Sequence, residues 1–204
     1  MKKLFSLILL IAAVALPAAA RAQMLGDARV AFSADRTLTI DDRTYTGKLY
    51  SRPGFQRHEQ DLGGIEQVIL LRRDDSHGWL VLPSARSYVE FFFRQATAEL
   101  SDPSLQKTAV GHETVSGLRT TKYRVEHTAR DGTSVDGYIW TTDQGILVKA
   151  EGEYTPAKGG RPTQVRLLLS NVRVAPQNQA LFEPPENYMK LPSSALQPLL
   201  GGRG

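Results

Sequence analysis

The second half of the chain repeats one pattern four times, a run of nine to twelve residues rich in Thr, Val, Ile, Leu and Tyr followed by turn residues. Thr120–Ala129 leads through Asp131-Gly132 into Thr133–Thr141, and that dipeptide favours a tight type I′ hairpin turn. Asp143-Gln144-Gly145 then turns the chain into Ile146–Tyr154, and a Pro- and Gly-bearing loop, Pro156 to Pro162, precedes Thr163–Val174. Four consecutive strands in a meander are predicted.

The first half reads the same way. Leu38 and Ile40 alternate with Thr37 and Thr39, Asp41-Asp42 offers a turn, and Tyr45, Gly47 and Leu49 alternate with Thr46, Lys48 and Tyr50. After the Pro53-Gly54 turn come Phe55–Leu62, Val68–Arg73 and Trp79–Leu82, with Pro83 ending the last. Helical periodicity is scarce. The best helix candidate is Ser87–Leu100, where Phe91, Phe92, Gln95, Ala96 and Glu99 could divide two sides before Pro103, although Tyr88-Val89-Glu90-Phe91-Phe92-Phe93 suits a strand equally well.

The predicted class is therefore mainly β with minor α: a curved antiparallel sheet that must either close or be covered, here by a helical lid. Such a sheet can enclose a cavity on its inner face or fill that face with side chains, and periodicity is compatible with both.

The N-terminus reads as an export signal. Lys2 and Lys3 precede the 13-residue apolar run Leu4–Leu16, Pro17 closes it, and Ala20-Arg21-Ala22 forms a cleavage site before Gln23. The run is too short for the roughly 20 apolar residues that span a bilayer, so no transmembrane anchor is expected. The expected organisation is a signal peptide at 1–22, a single β domain at 23–190 and a flexible tail at 191–204 rich in Pro, Ser and Gly. A bacterial-style signal points to the periplasm.

Removal of residues 1–22 takes Lys2, Lys3 and Arg21 with no acids, which lowers the formal charge from +4 to +1. A near-neutral exported body presents no broad footprint for nucleic acid. The chain contains no cysteine, which excludes a thiol nucleophile, a thiolate metal site and a redox pair.

Catalytic signatures are equally absent. His58-Glu59 and His112-Glu113 each begin like H-E-x-x-H, but the fifth positions are Leu62 and Ser116. His77 lies in a polar loop beside Asp74 and Asp75, where a solvated turn is expected, and His127 is expected to face solvent or a neighbouring side chain. Ser104-Leu105-Gln106-Lys107 matches S-x-x-K without the accompanying S-D-N or K-T-G, and a strand is expected to follow it. No cofactor, no metal and no enzymatic activity are predicted.

One resemblance adds to this reading. Gly47-Lys48-Leu49-Tyr50-Ser51-Arg52-Pro53-Gly54-Phe55, followed by Val68-Ile69-Leu70 and by Trp79-Leu80-Val81-Leu82-Pro83, resembles the LolA-like periplasmic carriers. Leu181-Phe182-Glu183-Pro184-Pro185-Glu186-Asn187-Tyr188 is similar to the closing F-x-x-P-x-x-Y segment of that superfamily. The departures are a short N-terminal stretch before the first strand, where the carriers have a long helix, and a turn one residue shorter before Phe55.

The resemblance implies an unclosed antiparallel barrel with helices over its open side and a non-enzymatic function: binding acyl chains, lipids or lipoproteins in the cell envelope. It implies a part in cargo transfer for Arg52, the Arg of the Arg-Pro turn. Trp79, Leu82, Phe91, Tyr123 and Trp140 are the candidate lining residues, with core filling as the alternative for each. Affinity in such a carrier would come from apolar burial at about 0.8 kcal/mol per methylene. The competing function is an envelope protein-interaction or sensing module that uses exposed sheet edges on the same scaffold without a bound lipid.

Overall fold

The computed structural model describes residues 28–61, 64–92, 106–128, 132–157 and 160–196. The signal-like segment, Ser104 and the far end of the chain lie outside them. Twelve strands form one sheet: β1 (Phe32–Ile40), β2 (Arg43–Arg52), β3 (Phe55–Asp61), β4 (Glu66–Arg72), β5 (His77–Leu82), β6 (Ser87–Phe92), β7 (Gln106–Val115), β8 (Leu118–Thr128), β9 (Ser134–Thr141), β10 (Leu147–Thr155), β11 (Thr163–Val174) and β12 (Met189–Leu191).

The spatial order is β12-β6-β5-β4-β3-β2-β1-β11-β10-β9-β8-β7. Two meanders, β1 to β6 and β7 to β11, thus meet where β1 pairs antiparallel with β11. The sheet is curved and not closed into a barrel, with β12 and β7 at its two edges. This is the unclosed antiparallel architecture that the resemblance implies.

Turn chemistry explains the hairpins. Asp41, at φ 51°, joins β1 to β2, and Pro53 with Gly54 at φ 80° joins β2 to β3. Ser116 and Gly117, both at positive φ, make the two-residue β7–β8 turn that the sequence reading did not single out. The β8–β9 ladder reaches Thr128↔Ser134, and residues 129–131, with Asp131 of the expected Asp131-Gly132 turn, lie outside the described residues.

The helix expected from Ser87 is a correction. Residues 87–92 form β6, in register with β5 from Leu82↔Ser87 to His77↔Phe92. Backbone partners along β5 decide what the side-chain pattern left open. Residues 93–105 lie outside the described set, and the described residues contain three short 3-10 helices, Pro83–Ala85, Gln179–Phe182 and Ser193–Leu196. Among them no helix is long and apolar enough to cross a membrane. Leu191, at the expected start of the tail, is the last residue of β12, whose three residues pair parallel with β6.

Candidate ligand-binding face

Residues directly opposite across a ladder share a face, so register sorts the side chains. Along β1, Phe32, Ala34, Arg36, Leu38 and Ile40 are buried and alternate with half-buried residues. Following the pairs outward, this Leu38 face carries Leu49, Ile69, Leu71, Leu80 and Val89 on one side of β1 and Leu167, Leu169, Ile139 and Val125 on the other, all buried.

A polar row crosses this apolar face. Arg36 stands opposite Gly47, Gly47 opposite Gln60, and Gln60 opposite Gln67. Leu82, one step beyond Val81, stands opposite Ser87 and continues the row toward the β12 edge. Arg36, Gln60, Gln67 and Ser87 are all buried, with Arg36 only 4% exposed. Gly47 contributes no side chain between Arg36 and Gln60, and Arg36 Nη2 donates across it to Gln60 Oε1 at 2.6 Å. Its Nη1 donates to His58 Nδ1 at 2.8 Å. That contact fixes the His58 tautomer, because a nitrogen accepting from a guanidinium carries no proton, so Nε2–H donates to Gln56 Oε1 at 3.1 Å.

The electrostatics follow from burial. Desolvation brings the Arg36 guanidinium down to about 10. Burial first, and then the charges of Arg36 and Arg73, hold His58 well below its ordinary value, so the imidazole is neutral. Among the described residues no carboxylate pairs with Arg36.

The opposite, Trp79 face is covered by the C-terminal segment. Val68, Leu70, Trp79 and Val81 form a buried cluster against which Tyr88 and Tyr188 pack. Phe182 is 2% exposed, sits 6.0 Å from the Phe55 ring, and is fixed by Arg57 donating to the Leu181 carbonyl at 3.0 Å. The F-x-x-P-x-x-Y signature is thus a strap whose two aromatic ends, Phe182 and Tyr188, close over β3 to β6. Lys190 pairs with Glu90, and Met189 N–H donates to the Arg86 carbonyl at 2.9 Å, which seats β12.

These two faces divide the six sequence-predicted site residues. Leu82, Phe91 and Tyr123 lie on the Leu38 face, where Phe91 packs over Gly78 and Tyr123 packs against Val125 and Ile139. Arg52, Trp79 and Trp140 lie on the other. Arg52 Cζ is 4.0 Å from the Phe55 ring and 5.4 Å from that of Phe182, so its cation holds the strap by ring contacts. Trp79 contacts His77 at 4.1 Å. Trp140 is 1% exposed beneath Lys149 and Lys122, at 4.1 and 4.8 Å, and donates to Glu113 Oε2 at 2.7 Å. The six residues therefore do not converge on one site.

The histidines also separate. His77 stacks on Phe92 at 4.8 Å, with Arg72 3.0 Å from Nδ1 and Glu90 2.5 Å from Nε2. It is buried, and so is His127. Among the described residues no three His, Asp or Glu side chains form a metal-binding group. The Arg36 row went unnoticed in the sequence because Arg36, Gln60, Gln67 and Ser87 occupy four different strands.

Solved structures share this architecture at low sequence identity. An uncharacterized conserved protein from Thermus thermophilus superposes with a TM-score of 0.53 at 11% identity, covering 80% of this chain and 91% of that one. MucB gives a TM-score of 0.51 at 15% identity, covering 81% of this chain and 61% of MucB. In the Pseudomonas aeruginosa MucA/MucB complex the values are 0.50 and 15%, with 80% and 58% covered. This chain therefore spans about three fifths of that protein. No protein-family model matches the chain, and no curated protein matches its sequence.

Proposed function

We propose that the protein is an exported, non-enzymatic carrier that takes up acyl chains of lipids or lipoproteins in the periplasm. The observation that carries this reading is the Leu38 face, where buried Leu38 and Ile40 on one side of the Arg36 row and Leu49, Ile69, Leu71, Leu80 and Val89 on the other make two apolar tracts on an unclosed sheet. An acyl chain laid on that surface would gain about 0.8 kcal/mol per methylene removed from water. Leu82, Phe91 and Tyr123 are proposed to line it, while Arg52 acts through the strap. Protein purified from the periplasm is expected to carry extractable lipid by mass spectrometry and to take up a fluorescent fatty acid. Absence of both would overturn the proposal.

A second reading, an envelope protein-interaction module, is favoured by the edge of the sheet. Among the described residues β7 is paired on one side only, by β8, and Val110, 51% exposed, sits at a bulge between Ala109 and Gly111. An edge strand can accept an extended peptide by main-chain pairing. The solved MucA/MucB complex is a protein–protein assembly on a related fold. Crosslinking from position 110 in intact envelopes is expected to capture one defined protein if this reading holds.

A further inference from the structure

We infer that the Arg36, Gln60 and Gln67 part of this transverse row is a receptor for the monoanionic head group of an acyl amphiphile whose chain lies on the Leu38 face. The inference rests on the carrier reading and adds the chemistry of the ligand's polar end.

Four polar side chains with an unsatisfied buried atom share this one row: Arg36 Nε, Gln60 Nε2, Gln67 Oε1 and Ser87 Oγ. Buried polar atoms nearly always have a partner, so four orphans aligned across neighbouring strands call for a common cause. A ligand laid across the strands would meet them in order, since adjacent strands are about 4.8 Å apart and the Arg36-to-Gln67 span is three strands, or roughly 14 Å at the backbone.

The donor pattern states the ligand's chemistry. Arg36 Nε–H and the Gln60 amide both donate, so the atom between them must accept. The guanidinium has two neutral partners, His58 and Gln60, and no carboxylate among the described residues, so one negative charge is missing from the site. A buried unpaired charge is strongly unfavourable, and an oxyanion restores balance with charge-assisted hydrogen bonds. Gln67 Oε1 only accepts, which suits a hydroxyl group further along the head. Carboxylates and phosphodiesters share the required monoanion; a phosphodiester bearing glycerol hydroxyls would also offer a donor to Gln67 Oε1, one strand beyond Gln60. The apolar residues flanking the row, Leu38 and Ile40 on one side and Leu49, Ile69, Leu80 and Val89 on the other, supply the surface for the chain.

Three probes with the same twelve-carbon chain test the inference by calorimetry at pH 8: lauroyl lysophosphatidylglycerol, laurate and uncharged monolaurin. Both anions are expected to bind at least tenfold more tightly than monolaurin. Arg36→Met should abolish that preference. Tighter binding of the phosphodiester than of laurate identifies the phosphoglycerol head, and the reverse identifies the carboxylate. Equal binding of charged and uncharged probes by the native protein overturns the inference and leaves the carrier reading standing. Failure of all three to bind overturns both. Should Arg36→Met not fold, Gln60→Met takes its place and is expected to reduce the preference severalfold, and an unchanged preference in a folded variant sinks the inference.

Discussion

The guanidinium of Arg36 donates to Nδ1 of His58 at 2.8 Å, so a buried cation on β1 is held by a neutral imidazole on β3. The pair has a direct consequence for acid stability. His58 is held well below its ordinary value of 6.5 in the folded chain, so between that value and the folded one the unfolded chain binds a proton that the folded chain does not. Stability from this residue is complete above about pH 6.5 and is lost as the pH falls below it, with a slope of up to about 1.4 kcal/mol per pH unit. Urea midpoints measured from pH 7.5 to 5 should fall, and His58→Leu should flatten the profile in that window. An unchanged slope in the variant would contradict the assignment.

The strap depends on Phe182. Its ring is buried between Phe55 and the Arg52 cation, so Phe182→Ala should cost about 3 kcal/mol and free the segment from residue 175 onward. Limited proteolysis would then cut that segment first. Hydrogen exchange at Met189–Leu191 should rise while that of β1 and β11 stays slow.

Gly137 and Gly152 face each other across β9 and β10. A Cβ on Gly137 would collide with the Glu151 carbonyl oxygen and lie 2.7 Å from Gly152 Cα, both backbone atoms that cannot move aside alone. Gly137→Ala should therefore destabilise by about 1–3 kcal/mol through strand separation. A thermal-melt midpoint equal to that of the native protein would show that the two strands can part freely.

Trp140 reports on Glu113. The indole N–H and Lys122 both bind the Glu113 carboxylate, which lowers its pKa, the Trp140 hydrogen bond first. The interaction is present above the ordinary value of 4.5 and is lost as the pH falls through the lowered one. Tryptophan emission should change in a step below pH 4.5, and Glu113→Gln should remove that step.

Several elements were legible in the letters. The period-two alternation of Leu38 and Ile40 with Thr37 and Thr39 foretold β1, and Thr163–Val174 is β11 to the residue. Gly47-to-Pro83 and the closing Phe182-to-Tyr188 segment pointed to the fold class, and the order of β8 to β11 is the expected meander. The candidate site was far less legible. Leu82, Phe91 and Tyr123 lie on one face and Arg52, Trp79 and Trp140 on the other, because aromatic type says nothing about parity along a strand.

What the sequence determined alone was local: which runs extend and where Pro and Gly turn the chain. Tertiary structure decided Ser87–Phe92, whose ambiguous pattern became β6 because β5 offered a full ladder of hydrogen-bond partners. It decided the Arg36 row as well. Residues 36, 60, 67 and 87 are separated along the chain, and only the register of six adjacent strands aligns them. Register is a property of pairs of strands, set by turns and by burial of one face, and no single strand encodes it.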